Sequence, residues 1–274
     1  MSTPTPSKQA LESAADDRLS QLLAENTKMG ERLEAEIGLR KKLEQELEQA
    51  AGAKQAAKEE LQAFIYAASH DLKEPLRAIS SYTQLLQRPG LSGSETEEYY
   101  RFIMDGVSAA NTLIEQLLRL SRAGASPRRT TVDLTVPVRT AIFKLQELLK
   151  RAGGTVNVQE LPAVSADEAQ VTQVFENLID NGVKYRGSDA PVIEIWAEES
   201  DEGHTVSVRD NGPGIEPTYH NQIFVPFKRL HGRTIPGAGL GLSMCRKIIE
   251  AHDGRIWVES DGKNGSVFRF FLPY

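Results

Sequence analysis

The chain has 274 residues, a formal net charge of −6 and a hydrophobic fraction of 40%. That length suits one large domain or two small ones, and the mild acidity argues against a general nucleic-acid binder. No apolar run approaches the ~20 residues of a membrane helix, the start lacks an apolar signal core, and the single cysteine, Cys245, rules out an internal disulfide framework. A cytoplasmic chain is the expectation, with Cys245 a small packed residue.

Residues 1–8 are rich in Pro, Ser and Thr and read as a disordered tail. From Leu11 to Ala68 there is no proline, and a heptad frame runs through Leu19, Leu22, Asn26, Met29, Leu33, Glu36, Arg40, Leu43, Leu47, Ala50, Lys54, Ala57, Leu61, Phe64 and Ala68. Its apolar majority predicts a coiled coil, weakened at Asn26, Glu36, Arg40 and Lys54. So long a stripe needs a partner to bury it.

This helix runs into Ser69-His70-Asp71-Leu72-Lys73-Glu74-Pro75-Leu76. A carboxylate beside an imidazole holds one ring nitrogen as N–H and leaves the other lone pair to attack, so His70 and Asp71 are candidate catalytic residues. Pro75 cannot donate to the helix ladder and is expected to bend the helix just after the histidine. The helix is expected to break at Arg88–Ser94, with Ser94 and Glu97 as a capping box opening a second helix to Ser121. Two helices so joined form an antiparallel hairpin, which encloses no core alone; two copies make a four-helix bundle, predicting a homodimer.

Ala123–Thr131 reads as a linker. Beyond it the pattern predicts a helix over Leu134–Arg151, a strand near Val156–Leu161, a helix from Asp167 to about Tyr185, and strands at Val192–Glu198 and Thr205–Arg209. A helix from about Leu240 to before Gly254 and a hairpin of Arg255–Glu259 and Val267–Leu272 complete an α/β sandwich.

Three clusters there carry chemistry. In Glu176–Tyr185, helical spacing puts Asn177, Asn181 and Lys184 on one face, with Leu178 and Ile179 turned inward. An amide oxygen suits a hard cation such as Mg²⁺, and a lysine beside it suits phosphate. Asp210-Asn211-Gly212-Pro213-Gly214-Ile215 follows a strand and offers a buried carboxylate to an adenine amino group. Gly237-Ala238-Gly239-Leu240-Gly241-Leu242 opens a helix whose N–H groups suit phosphate. Between the last two lies Phe224–Pro236, which reads as a lid, with Arg229, His231 and Arg233 available to phosphates. No strand of the usual kind leads into Gly237, as a dinucleotide site would need.

The order of these motifs resembles the bacterial sensor histidine kinases of two-component systems. Ser69–Leu76 resembles the H box, Asn177–Tyr185 the N box, Asp210–Ile215 the G1 box, Phe224–Phe227 the F box and Gly237–Leu242 the G2 box. Lys228–Arg233 and Gly254–Ser260 look most like the phytochrome-like group. The resemblance covers roughly residues 60–274. It implies a fold in parts: a parallel coiled-coil signalling helix (9–60), a dimerisation and histidine phosphotransfer domain (61–124), a linker (125–131), and a catalytic ATP-binding domain (132–274) of the GHKL, or Bergerat-type, α/β sandwich.

It also implies roles. His70 would be the phosphorylated residue, attacking through Nε2. Asp71 would orient Nδ1–H, and Glu176 would assist near the γ-phosphate. Asn181 would ligate Mg²⁺. Asn177, Lys184, Tyr185, Asp210, Gly212, Gly214, Ile215, Phe227, Arg229, His231, Arg233, Gly237, Gly239, Leu240, Gly241 and Leu242 would surround ATP. The phosphoryl group would pass to an aspartate on a response-regulator receiver domain. Glu74 stands where a Thr or Asn often serves phosphatase activity. No sensor domain is recognisable, so an upstream sensor protein or absent module would supply the signal. The rivals are a non-kinase ATPase of the same superfamily, disfavoured by His70 on its hairpin, and a non-catalytic scaffold, disfavoured by the intact Asn181, Asp210 and glycine clusters.

Overall fold

The computed structural model describes residues 8–230 and 237–274. Residues 1–7, in the expected tail, and His231 and Arg233, in the expected lid, lie outside these. The chain divides into two compact units, up to Ala63 and from Phe64 onward. The first is helical throughout its described length, as part of α1 (Lys8–Leu86). Of its heptad positions, Met29, Leu33, Leu43 and Leu47 are each more than half exposed. A single chain therefore leaves the stripe unburied.

The second unit begins with the remainder of α1, which carries Pro75 within it, and α2 (Gly93–Arg122). The two run antiparallel. Tyr82 stacks on Phe102 with centroids 4.6 Å apart and tilts toward Tyr99 at 5.8 Å. One helical stretch away, a Cβ at Gly106 would fall 2.8 Å from Ile79 Cγ1 and 3.2 Å from the Pro75 carbonyl oxygen, so the missing side chain lets the helices close at the proline. The capping box lies two residues earlier than expected. Ser92, not Ser94, is the N-cap: its Oγ accepts from the Glu95 N–H at 3.3 Å, and Glu95 Oε2 accepts from the Ser92 N–H at 2.9 Å. Both serines stand three residues before a glutamate, but Ser94 is already inside the helix.

The expected linker ends in a strand. β1 (Thr130–Asp133) pairs antiparallel with β3 (Ala163–Ala166), and neither was anticipated, although Thr130-Thr131-Val132 is β-branched. Side chains also tie the linker down: Arg129 donates to the Ala251 carbonyl and to Asp253, both at 2.7 Å, and Gln170 Nε2 donates to the Ala125 carbonyl at 3.0 Å. The helix expected over Leu134–Arg151 is two, α3 (Thr135–Lys144) and α4 (Gln146–Ala152). Leu145, with φ −97° and ψ 6°, separates them. Its apolar side chain continues the helical pattern, so the break leaves no mark in the sequence.

β2 (Thr155–Val158), β4 (Val192–Ser200), β5 (Gly203–Asp210), β6 (Arg255–Glu259) and β7 (Ser266–Pro273) form one sheet in the order β2-β4-β5-β7-β6. Only β2 with β4 is parallel. One face is covered by α5 (Glu168–Lys184) and α6 (Gly241–Ala251). There Ile193, Ile195, Val206, Phe268 and Phe270 meet Val174, Phe175, Ile179, Cys245 and Ile248. The other face is wet and carries charge pairs such as Arg269 with Glu198 at 3.2 Å, as expected of a mostly antiparallel sheet covered on one side. Leu113 and Leu120 of α2 join this same core, so the hairpin is packed against the α/β fold.

Cys245 is fully buried, and burial pushes its thiol up to about 12. His252, equally buried, joins the ends of two helices: its Nε2 accepts from the Asp167 N–H at 3.0 Å and its Nδ1 meets the Ile248 carbonyl at 2.8 Å. The Nδ1–H tautomer satisfies both contacts. His252→Ala is expected to cost about 2–4 kcal/mol, through the cavity and the orphaned polar groups, read as a lower urea midpoint. Cys245 is expected to stay unreactive toward thiol reagents until the fold opens.

Candidate functional site

On α1, His70 Nδ1 lies 3.1 Å from Asp71 Oδ1. The imidazole is 58% exposed and the carboxylate 29%. With Nδ1–H given to the carboxylate, the ring lone pair is on Nε2.

The α/β fold holds a cavity of about 350 Å³, within the usual size of a small-molecule site. One wall is the polar stripe of α5: Gln173, Glu176, Asn177, Asp180, Asn181 and Lys184. This stripe exists because the opposite face of α5, with Val171, Val174, Phe175, Leu178 and Ile179, is spent on the core. Two of its carboxylates are already paired, Asp180 with Lys184 at 2.5 Å and Glu176 with Lys144 of α3. Ile215, Ile223, Leu240, Met244 and Phe268 supply apolar surface suited to a flat ring.

Asp210, at the end of β5, faces this cavity. Its Oδ1 accepts from the Gly212 N–H at 2.8 Å and the Ser266 N–H at 3.3 Å. Burial pushes its carboxyl above the ordinary aspartate value, partly offset by those two hydrogen bonds. Gly212 does not line the cavity; it sits behind Asp210, where a Cβ would lie 2.8 Å from the Tyr185 carbonyl oxygen.

Another part of the lining is the start of α6. Its N-cap, Leu240, makes no side-chain cap, and Gly239, Leu240, Gly241 and Leu242 all line the cavity. The first N–H groups of α6 and its dipole are therefore available to an anion there. Asn177 Nδ2 donates to the Gly241 carbonyl at 3.3 Å and fixes α5 to this turn. Phe227 has φ 62°, and its N–H donates to the Gly239 carbonyl at 3.0 Å, so the two flanks of the expected lid are joined. A Cβ on Gly239 would press to 3.1 Å against Phe227, Lys228 and Arg229.

The cavity thus brings together Glu176, Asn177, Asn181, Lys184, Tyr185, Asp210, Gly214, Ile215, Arg229, Gly237, Gly239, Leu240, Gly241 and Leu242. His70 and Asp71 are not among its lining residues, nor is Phe227, whose ring lies 5.4 Å from that of Phe64 on α1. Gln116 and Arg119 of α2 also line it and Lys144 stands beside Glu176, and no local pattern in the sequence marks any of the three. Asp180 could have been found from its i,i+4 spacing to Lys184. Among the described residues, no group of three or more His, Cys, Asp or Glu converges as a metal site, and no helix is long and apolar enough to cross a membrane.

Asp210→Asn keeps the Oδ1 acceptor and removes a desolvated charge. Because folding raises this carboxyl's pKa, its stabilising contribution is complete below the unfolded value and is lost as pH rises through the folded value. The ligand-free Asp210→Asn protein is therefore expected to melt at an equal or higher temperature at pH 7, with a flatter pH dependence across that window, in differential scanning calorimetry.

Residues 60–126 match the family model of the His Kinase A (phospho-acceptor) domain, and residues 166–274 that of the Histidine kinase-, DNA gyrase B-, and HSP90-like ATPases. Phytochrome-like protein Cph1 of Synechocystis is 39% identical over 218 residues, which cover 78% of this chain and 29% of that protein. The adaptive-response sensory kinase SasA of Rippkaea orientalis is 34% identical, over 75% of this chain and 56% of its own length. The chain therefore spans about a third to just over half of these relatives. Among solved structures, the histidine kinase ThkA in complex with the response regulator TrrA superposes with a TM-score of 0.64 at 26% identity, covering 80% of this chain and 63% of that one. The Acinetobacter baumannii histidine kinase AdeS shares the fold, with a TM-score of 0.59 at 22% identity over 74% of this chain and 97% of its own. A phosphoacceptor domain followed by a kinase-type ATPase domain, in the arrangement these relatives share, makes the chain a member of the two-component sensor histidine kinases.

Proposed function

We propose that the protein transfers the γ-phosphoryl group of ATP to Nε2 of its own His70 and then to an aspartate of a response-regulator receiver domain. The observation that carries this reading is the His70–Asp71 contact, whose Nδ1–H tautomer leaves the lone pair on Nε2, within a chain that also holds a nucleotide-sized cavity. Nε2 attacks phosphorus, the bond to the β-phosphate oxygen breaks, and ADP leaves. The imidazolium that forms is stabilised by Asp71 through the Nδ1 proton.

Each wall of the cavity fits a part of ATP. The apolar surface takes the adenine ring, and the outer oxygen of Asp210 accepts from its amino group. The N–H groups opening α6 take the phosphates, with Lys184, Arg229 and Arg119 close by. Mg²⁺ held by the phosphates and the Asn181 amide would neutralise developing charge. His70 lies outside the cavity lining, so transfer requires the hairpin and the α/β fold to rearrange, or a second copy to present its histidine.

A second copy also explains the apolar surface of the helices. Tyr100, Met104, Val107, Ile114 and Leu118 of α2 are exposed at heptad spacing. They form a seam that a homodimer would bury as a four-helix bundle, and Met29, Leu33, Leu43 and Leu47 of α1 form a separate seam that a parallel coiled coil would bury. The bundle would receive the response regulator, a partnership that the ThkA–TrrA complex supports by analogy. An upstream sensor would act through the coiled coil.

Incubating the protein with γ-labelled ATP and Mg²⁺ tests the central reading. Acid-labile, base-stable label is expected on the wild type and not on His70→Gln; label that persists in the variant would place the phosphate on another residue. Asn181→Ala is expected to slow labelling on the order of 10²-fold or more, the usual loss for a charge-stabilising group, while a mere scaffold would not register it. Ile114→Glu with Leu118→Glu is expected to halve the mass seen by light scattering; an unchanged mass would remove α2 from the dimer seam.

A further inference from the structure

Glu176 is only 16% exposed, stands on the cavity stripe of α5, and its Oε1 is met by the ammonium group of Lys144. The partners are 32 residues apart in sequence and sit on different helices. Lys144 is the last residue of α3, immediately before the Leu145 break, and Leu145 itself lines the cavity. The turn between α3 and α4 thus delivers a cation to Glu176, while Asp180 pairs with Lys184 of its own helix, four residues away.

Stability is a poor account of this pair. Lys144 is more than half exposed, and ion pairs with one exposed partner contribute little to folding. The geometry serves the cavity instead. An unpaired carboxylate on this wall would turn away from the negative charge of a triphosphate. The ammonium group offsets that charge and holds one Glu176 rotamer, beside Asn177 and one turn from Asn181.

We infer that Lys144 is a positioning residue for phosphoryl transfer, acting by fixing the Glu176 carboxylate at the nucleotide cavity. This rests on the kinase reading above and adds to it a residue from α3. The test is the rate of label incorporation from γ-labelled ATP, across MgATP concentrations, in the full chain and in Lys144→Met, Lys144→Arg, Glu176→Gln and the double variant Lys144→Met with Glu176→Gln. Lys144→Met is expected to lower the maximal rate about 10-fold with the apparent KM changed by less than about 2-fold, the pattern of a transition-state effect. Lys144→Arg, which preserves the charge, is expected to recover most of the rate. The double variant is expected to be no slower than Glu176→Gln alone.

A Lys144→Met protein with the wild-type rate would overturn the inference, as would a rise in KM with the rate unchanged, which would mean that Lys144 contacts phosphate directly. A full further loss in the Glu176→Gln background would also overturn it. Circular dichroism of each variant separates these outcomes from misfolding, and recovery in Lys144→Arg would not follow from a lost fold. A wild type that takes up no label would instead sink the kinase reading itself.

Discussion

The packing of α5 against the sheet is the constraint on which the site depends. Val174, Phe175, Leu178 and Ile179 are almost wholly buried, and Phe175 meets Phe270 of β7 edge-on at 5.6 Å. With that face committed, helical periodicity leaves no freedom in where Glu176, Asn177, Asp180, Asn181 and Lys184 point. The polar wall of the cavity is thus the reverse side of a hydrophobic core. Its precision comes from a rigid element rather than from a loop.

Around that wall, the fold assembles groups of opposite character. At the Asp210 end, a carboxyl is partly desolvated and steadied by two backbone N–H groups. At the α6 end, backbone N–H groups lack a side-chain cap. A ligand with a flat, amino-bearing base and an anionic tail complements both groups. The hairpin contributes as well: Arg119 and Gln116 reach the cavity from α2, whose Leu113 and Leu120 are part of the same apolar core.

What could be read from the sequence followed from how local each signal is. Asn177, Asn181 and Lys184 could be assigned to one face because a helix of known phase carries them, and Asp210 and Gly239 because glycine-rich turns bracket them. The strands β4 to β7 came within a few residues of their observed limits for the same reason. The Leu145 break was invisible because an apolar residue continued the pattern across it. The capping box was displaced because two serines offer the same spacing, and only backbone conformation chooses between them. Lys144 and Arg119 were beyond reach because each owes its place to a tertiary contact with a distant helix.

The bond from the Phe227 N–H to the Gly239 carbonyl has a bearing on how such a site changes over evolutionary time. It fastens both ends of the intervening segment to the rim of the cavity, with Gly239 fitted against the backbone of its own opposite flank. Closing a flexible loop between fixed ends costs only about 0.6 kcal/mol more for each doubling of its length. Insertions, deletions and wholesale changes of composition between the two anchors are therefore cheap, and they leave the α6 turn and the α5 wall in register. The rim behaves as a socket: the mount formed by Phe227 and Gly239 stays the same whatever sequence is strung between them.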